Sequence, residues 1–276
     1  MSEPTYETLR FERQGFVGWL HLSRPEKLNA FTIEMWRELG DLGRRIGTDP
    51  ELRALVVLGD GRAFSSGIDT SVFTDARPGD AVLDEGGPRH PDPTVASILA
   101  TQDSYTWLEE APYPTIAAVR GYAFGAGLQL ALACDLRVVA RGTRLGLLEH
   151  QYGILPDLGG TQRLPRLVGP AKALHLIVTA ARIDTDEAER IGLADVVVAD
   201  EDLETAAGAL ADTIAAQPPL AVRGAKRAVQ AAGSGLSVRD GLVVEAEGQA
   251  ACLRSDDMRE AIAAFVEQRP PVYRGA

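Results

Sequence analysis

Two glycine-containing turns are the segments of this sequence whose residue types best fit chemistry. The first is Ala63-Phe-Ser-Ser-Gly-Ile-Asp69, after a short apolar segment, and the second is Gly125-Ala-Gly127, at the start of an apolar helical segment. Glycine tolerates unusual backbone angles and carries no side chain, so each turn can pass close to a ligand. The start of a helix also leaves N–H groups unpaired beside a partial positive charge. Facing each other, the turns would offer two N–H donors to one developing oxyanion.

The two turns also have interpretations other than an oxyanion site. Taken alone, each turn favours an ordinary tight turn that binds nothing. The glycines of 121–127 follow the pattern Gly-x-x-x-Gly-x-Gly, which differs from the Gly-x-Gly-x-x-Gly of dinucleotide-binding folds. No Gly-Lys-Ser or Gly-Lys-Thr follows either, which excludes a phosphate-binding P-loop.

The elements that must position the turns read as short strands alternating with helices, which predicts a layered α/β core. We expect a hairpin of 9–12 and 17–22, a helix over 32–46 with Thr32 as its N-cap, and all-apolar buried strands at 55–58, 115–119 and 136–140. Residues 75–93 are rich in Asp, Gly and Pro and predict a surface loop. From about Asp184 the pattern is mostly helical, with helices expected at 185–191, 203–216, 220–232, 238–254 and 256–268.

Composition limits the class of protein. The chain has 276 residues and a net charge of −11, which argues against a broad nucleic-acid surface because phosphate binding needs clustered Lys and Arg. The apolar runs are too short to cross a membrane, and the polar, acidic start does not resemble a signal peptide. Cys134 and Cys252 do not have metal-ligand spacing. We therefore expect a cytoplasmic protein without a metal site, a nucleic-acid partner or a membrane partner.

Four motifs follow one another in order along the chain. They are Ser23-Arg-Pro-Glu-Lys-Leu-Asn-Ala30, Ala63-Phe-Ser-Ser-Gly-Ile-Asp69, Gly121-Tyr-Ala-Phe-Gly-Ala-Gly-Leu-Gln129 and Gly153-Ile-Leu-Pro-Asp-Leu-Gly-Gly-Thr-Gln-Arg-Leu164. With these motifs the chain resembles the enoyl-CoA hydratase/isomerase (crotonase) superfamily. Shorter helical motifs, at 226–229 and 259–265, extend the resemblance towards the end of the chain. The resemblance implies a crotonase-like spiral of ββα units with a C-terminal helical region.

The resemblance assigns the backbone N–H groups of Ile68 and Ala126 to an oxyanion hole for the thioester oxygen. Such donors can lower a barrier by roughly 3–4 kcal/mol each. Relatives often carry lysine where Ser71 stands, so one phosphate contact is missing here, and Lys27, Arg62 and Arg269 are candidates to replace it. The residues expected around the substrate and CoA are Lys27, Ala63, Ser66, Asp69, Thr70, Ser71, Gly125 and Gly127.

The resemblance also points to the residues that move protons. Hydratases of the family have two glutamates around a water molecule, and Glu149 matches the second of them. Gln129 matches the first, and an amide is not a general acid or base near neutral pH, although it can hold a water. Asp157 matches an acid of many isomerases, or it caps the helix that follows. Two carboxylates in one apolar pocket should raise the pKa of one of them.

The leading prediction is therefore an enzyme that forms an enolate of an acyl-CoA thioester, with Glu149 and Asp157 transferring protons. Gln129 and Asp157 favour double-bond isomerisation, while a 2-enoyl-CoA hydratase, with Glu149 and a water held by Gln129, is the alternative. A non-catalytic acyl-CoA binder is the second alternative. No cofactor is expected, because CoA arrives as part of the substrate. We expect a core at 1–200 and a helical trimerisation region at 201–276, assembled as a homotrimer or a dimer of trimers.

Overall fold

The computed structural model describes residues 5–72 and 90–276. The predicted surface loop at 75–93 lies outside these ranges up to residue 89. Its last residue, Pro93, is the first residue of a helix, with Asp92 as the N-cap. No helix within the described ranges is long and apolar enough to span a bilayer.

The strands of the described chain form two sheets. The strands are β1 Leu9–Gln14, β2 Val17–Leu22, β3 Ala54–Gly59, β4 Thr115–Val119, β5 Tyr122–Phe124, β6 Leu136–Ala140, β7 Arg144–Gly146 and β8 Val196–Val198. The main sheet has the order β1-β2-β3-β4-β6-β8, and a smaller sheet pairs β5 with β7. β1 and β2 form the predicted antiparallel hairpin, and every other pair in both sheets is parallel. The predicted strands are confirmed, while the short strands β5, β7 and β8 are additional.

Ten α-helices of the described chain surround these sheets. They are α1 Ile33–Ile46, α2 Pro93–Glu110, α3 Ala126–Ala133, α4 Gly160–Val168, α5 Pro170–Val178, α6 Thr185–Arg190, α7 Leu203–Ala215, α8 Pro219–Gly233, α9 Val238–Arg254 and α10 Asp256–Glu267. The helices predicted after Asp184 are confirmed to within one residue at each end, whereas the sequence does not predict α2 or α5.

Local chemistry explains several helix starts. The hydroxyl of Thr32 accepts from the N–H of Met35 at 3.2 Å, which confirms Thr32 as the N-cap of α1. Ser237 and Ser255 cap α9 and α10 in the same way. Asp92 caps α2, and Pro93 at the first helical position has no N–H to leave unpaired.

The order of strands and helices confirms the expected spiral of ββα units with a C-terminal helical region. β4 leads into β5 and then α3, while β6 leads into β7 and a short 3₁₀ helix at Glu149–Tyr152. Two isolated β-bridges add to this pairing. Ser65 pairs with Ala123 of β5, and Phe31 pairs with Ile68. The first glycine turn therefore pairs directly with the strand that precedes the second glycine turn.

The core lies on both faces of the main sheet. All six residues of β3 are buried, as the all-apolar segment predicts. One face carries a large cluster with residues of α1, α2 and α3, and the opposite face packs against α7. Lys226 of α8 ties the later helices to this core, because its ammonium lies 2.7 Å from the carboxylate of Asp135.

Candidate active site

The two glycine turns face each other in the folded chain. Gly67 and Gly125 both have positive φ, at 108° and 49°, which favours glycine. A Cβ atom on Gly125 would lie 3.9 Å from the Cα of Gly67 and 3.3 Å from Oε1 of Glu149. The two turns and the Glu149 carboxylate therefore border the same small space.

The N–H groups that follow these glycines, those of Ile68 and Ala126, are candidate donors to that space. Within residues 5–72 and 90–276, the N–H groups of Ile68 and Ala126 have no hydrogen-bond acceptor. On either side of Ile68, the carbonyl of Gly67 and the N–H of Asp69 both bond to Phe31, at 2.8 and 2.9 Å. Because N–H groups alternate in direction along an extended segment, the N–H of Ile68 points away from Phe31. Ala126 is the first residue of α3, where the helix has no partner for its N–H.

The first turn is held by a pair of ionic groups. The guanidinium of Arg24 donates to the carboxylate of Asp69 at 3.1 Å and to the carbonyl of Ala30 at 2.6 Å. The other Asp69 oxygen accepts from the N–H of Ser71 at 3.1 Å. These bonds lower the pKa of Asp69, with the backbone bond from Ser71 as the largest cause, and they use the carboxylate to cap its own turn.

Gln129 and Glu149 bind each other directly. Nε2 of Gln129 donates to Oε1 of Glu149 at 2.7 Å, and Oε1 of Gln129 accepts from the N–H of Gly160 at 3.0 Å. Both side chains are buried. Gln129 therefore fixes one oxygen of Glu149 and also anchors the first residue of α4.

The second oxygen of Glu149 is the unusual one. Oε2 is buried and has no hydrogen-bond partner among the described residues. Burial raises the pKa of Glu149, and the charge of Asp157 raises it further, while the bond from Gln129 acts in the opposite direction. A buried carboxylate oxygen without a partner is costly for folding, so it is a group suited to accepting a proton.

Asp157 lies in a different environment, half-buried at a polar cleft of about 320 Å³. The backbone carbonyl of Asp157 accepts from Nε2 of Gln102 at 2.5 Å. The side-chain carboxylate of Asp157 accepts no hydrogen bond from another described residue. Gly159 is the N-cap residue of α4 and there is no side-chain cap, so the capping alternative for Asp157 is wrong. Burial raises the pKa of Asp157. The cleft is also lined by Gln102, Thr106, Glu109, Leu155, Gly159, Thr161, Gln162, Arg163 and Arg166.

The residues expected around CoA fall into two groups. Lys27, Thr70 and Arg62 are exposed, and Ser66 and Ser71 are partly buried beside Ile68. Ala63 is fully buried, its carbonyl accepts from Asn29 at 2.8 Å, and a Cβ on Gly127 would lie 2.5 Å from that of Ser65. Ala63 and Gly127 thus serve packing of the turns.

Arg269 is a poor substitute for the missing lysine contact. Its guanidinium lies 2.6 Å from carboxylate oxygens of both Glu260 and Glu267. These two ion pairs raise the pKa of Arg269 and occupy its donors at the surface. Of the three replacement cations expected from the sequence, Arg269 is therefore the least available to a phosphate.

Two residues near the site carry no signal in the four motifs. Tyr105 donates from its hydroxyl to the carbonyl of Ala126 at 3.1 Å, and it lies in α2, which the sequence does not predict. Trp36 donates to Tyr105 at 3.3 Å. Asp92 followed by Pro93 is a helix-start signature, so the helix that carries Tyr105 could have been found from it. Among the described residues, no group of three or more His, Cys, Asp or Glu could hold a metal ion.

Comparison with known proteins places this chain in a family. The family model for enoyl-CoA hydratase/isomerase matches residues 12–276. A probable enoyl-CoA hydratase of Mycobacterium tuberculosis is 37% identical over 271 residues, covering 98% of each chain. The crystal structure of an enoyl-CoA hydratase from Bacillus anthracis superposes with a TM-score of 0.88 at 31% identity, covering 98% of this chain and 100% of the other.

A third relative was crystallised with a ligand. It is assigned as an enoyl-CoA hydratase from Thermobifida fusca and is in complex with CoA. It is 39% identical, with a TM-score of 0.78, and the match covers 89% of this chain and 93% of that one. The chain described here belongs to the enoyl-CoA hydratase/isomerase family, whose members act on CoA thioesters.

Proposed function

We propose that this enzyme binds an enoyl-CoA, stabilises its enolate with the N–H groups of Ile68 and Ala126, and moves protons with Glu149 and Asp157. The observation that carries the proposal is the unpaired buried Oε2 of Glu149, on a carboxylate that borders the space between Gly67 and Gly125. The thioester oxygen would accept from the two free N–H groups, which are fixed before the substrate arrives.

These two groups can move a double bond of the acyl chain from between C3 and C4 to between C2 and C3. Glu149, as the anion, takes a proton from C2, and the electron pair passes into a dienolate whose oxygen carries the negative charge. Protonated Asp157 then delivers a proton to C4. The proton on Glu149 returns to Asp157 through solvent or directly, which resets both groups. Raised pKa values of the two carboxyls suit this exchange, because each can hold a proton closer to neutral pH than usual.

Hydration of a 2-enoyl-CoA is the second candidate, favoured by the names of the relatives. In a hydratase with two glutamates, both carboxyls must be able to transfer protons. Here Gln129 stands at the position of the first glutamate. The direct 2.7 Å bond between Gln129 and Glu149 also joins the two groups without an intervening water. Both features support isomerisation, although Glu149 alone could still activate a water elsewhere in the site.

The test uses a 2-enoyl-CoA and a 3-enoyl-CoA of equal chain length, with the products identified by chromatography and by the absorbance of the conjugated thioester. We expect conversion of the 3-enoyl-CoA to depend on both carboxyls. Water addition to the 2-enoyl-CoA that survives Asp157→Asn but not Glu149→Gln would overturn the preference for isomerisation. Tight binding of a panel of acyl-CoAs without turnover would instead show a non-catalytic binder.

The CoA part of the substrate would lie along the first turn. We propose that the segment from Ile68 to Ser71 borders the adenine and pantetheine, with Lys27 near a phosphate. The CoA complex of the Thermobifida fusca relative supports a CoA ligand here. Because proton transfer and a backbone oxyanion hole suffice for the chemistry, the proposal includes no metal or redox cofactor.

The helical end of the chain supports the proposed trimer. α9 has no buried residue in the described chain, although it is 17 residues long. Apolar side chains of α8, α9 and α10 are exposed, and a partner subunit would cover them. Analytical ultracentrifugation should give three or six times the mass of the chain. The exposed apolar residues are Val229, Val238, Leu242, Val243, Leu253, Ile262, Phe265 and Val266.

A further inference from the structure

A buried group of three aromatic residues touches both halves of the proposed oxyanion hole. Phe31, Trp36 and Tyr105 form what we term the aromatic brace. The ring of Phe31 stacks on Trp36 with centroids 5.9 Å apart and meets Tyr105 edge to face at 5.6 Å. Such ring geometries are favourable beyond the area that they bury.

The brace bonds to each turn through a different group. The backbone of Phe31 accepts from the N–H of Asp69 and donates to the carbonyl of Gly67, and these bonds enclose Ile68. The hydroxyl of Tyr105 donates to the carbonyl of Ala126 at 3.1 Å. One packed cluster thus holds the residues that supply both N–H donors.

The polar chain of the brace has a fixed direction. Nε1 of Trp36 donates to the Tyr105 oxygen at 3.3 Å, which leaves the single hydroxyl proton of Tyr105 for Ala126. Burial raises the pKa of Tyr105 well above its ordinary value, so the hydroxyl remains a donor at all pH values of interest. All three side chains are buried; Trp36 lies in α1 and Tyr105 in α2, while Phe31 directly precedes the N-cap of α1.

We propose that Tyr105, supported by Trp36, is a positioning residue that sets the distance and angle between the N–H groups of Ile68 and Ala126. This inference rests on the proposed function. Oxyanion donors act only when they are aimed at the position of the developing charge, so a small rotation of Ala126 would weaken one of the two bonds. Tyr105 is fully buried and acts through Ala126.

The test compares two conservative substitutions that remove the same kind of group. Tyr105→Phe removes the hydroxyl that binds Ala126, and Tyr113→Phe removes a buried hydroxyl that donates to the carbonyl of Ile46 at 2.6 Å, at the far end of α1. We expect a roughly three- to tenfold fall in kcat for Tyr105→Phe with KM changed less than twofold, as expected for one lost neutral hydrogen bond. Tyr113→Phe should lower the melting temperature without changing kcat. Trp36→Phe should lower kcat by roughly twofold.

A spectroscopic measurement separates this inference from the proposed function. The infrared stretch of the thioester carbonyl in a bound saturated acyl-CoA reports the strength of the oxyanion bonds without turnover. The band should lie at lower frequency in the wild type than in water, and Tyr105→Phe should move it back partway. A shifted wild-type band that Tyr105→Phe leaves unchanged would overturn the role of Tyr105. A wild-type band at the solution frequency, or no acyl-CoA binding, would overturn the oxyanion hole itself and the inference with it.

Discussion

Glu149 and Asp157 are eight residues apart in the chain, but the fold gives them very different surroundings. Glu149 begins a 3₁₀ helix, is buried, and has one oxygen fixed by Gln129. Asp157 lies at the edge of an open polar cleft, and no other described residue donates to its carboxylate. Burial raises the pKa of both groups, so neither is an ordinary surface acid.

The difference teaches how one site can hold an acid and a base of similar type. A fixed, enclosed carboxylate has one free oxygen in one direction, which suits proton removal from a single carbon. A carboxylate beside a cleft can exchange its proton with solvent between turnovers. We therefore assign proton removal to Glu149 and proton return to Asp157, and the following substitutions test that division.

Glu149→Gln should have the largest effect. The substitution keeps the size of the side chain and an acceptor for Gln129, but it removes the carboxylate that we propose takes the C2 proton. We expect the rate of isomerisation to fall by about 10²–10⁴-fold, the usual contribution of a general base. The measurement is kcat on a 3-enoyl-CoA, with acyl-CoA affinity measured in parallel.

Unchanged affinity is the control for Glu149→Gln, because the oxyanion hole and the CoA contacts are left in place. Retention of more than a tenth of the wild-type rate would show that Glu149 is not the base. The pH profile of the wild type gives a second check. Activity should fall as the pH drops through the pKa of Glu149, and this acidic limb should lie above the usual glutamate value of about 4.3.

Asp157→Asn should reduce isomerisation by about 10²-fold, at the lower end of the range for a general acid, because solvent can partly replace a group at an open cleft. Since Asp157 must be protonated to act, isomerisation should also decline as the pH rises through its pKa, and Asp157→Asn should remove that decline. Initial rates over a pH series measure both effects. An effect as large as that of Glu149→Gln, with no change in the pH profile, would contradict the division of roles.

The sequence predicts the elements of the site better than their contacts. The turns at Gly67 and Gly125 are visible because glycine is required where backbones meet at positive φ. The all-apolar strands and the capped helix α1 follow from local patterns. Tyr105 is not visible, because its role depends on α2 packing between α1 and α3, which no local pattern encodes.

The partners of Gln129 illustrate the same limit. An amide on an apolar helix predicts a satisfied polar group, and the structure shows that it is satisfied. Which groups satisfy it, Glu149 and the N–H of Gly160, depends on a long-range approach of the 149–160 segment to α3. The pairing of Arg269 with Glu260 is equally non-local, and it occupies a cation that the sequence offers as a phosphate ligand.

Gln129→Glu tests whether the direct bond between the two side chains favours isomerisation. The new carboxylate would lie about as close to Glu149 as the amide does now, so the two acids would share a proton and the pKa of one would rise. We expect isomerisation to fall by roughly tenfold, with water addition to a 2-enoyl-CoA becoming measurable. The product ratio from the two substrates is the readout. An unchanged ratio would show that position 129 does not decide the reaction.

The smallest expected effect is on the free energy of unfolding. Its measurement compares the carboxyls of Glu149 and Asp157 without substrate. A group whose pKa is raised by folding binds more protons in the native state, so its favourable contribution is complete below its unfolded pKa and is lost as the pH rises through its folded pKa. Above its folded pKa the ionised, buried Glu149 therefore costs stability, and there Glu149→Gln should be more stable than the wild type.

The gain should shrink as the pH is lowered towards the ordinary glutamate value, because the wild-type carboxyl then becomes neutral. Since about 1 kcal/mol moves the melting temperature of a domain of this size by roughly 2–4 °C, we expect a rise of a few degrees at pH 7. Asp157→Asn should give a smaller rise, because Asp157 is only half-buried and its charge stays partly solvated. Thermal unfolding of the wild type and both variants at pH 5 and pH 7 measures this order. An equal or larger gain for Asp157→Asn would mean that Asp157, and not Glu149, is the more strongly desolvated carboxyl.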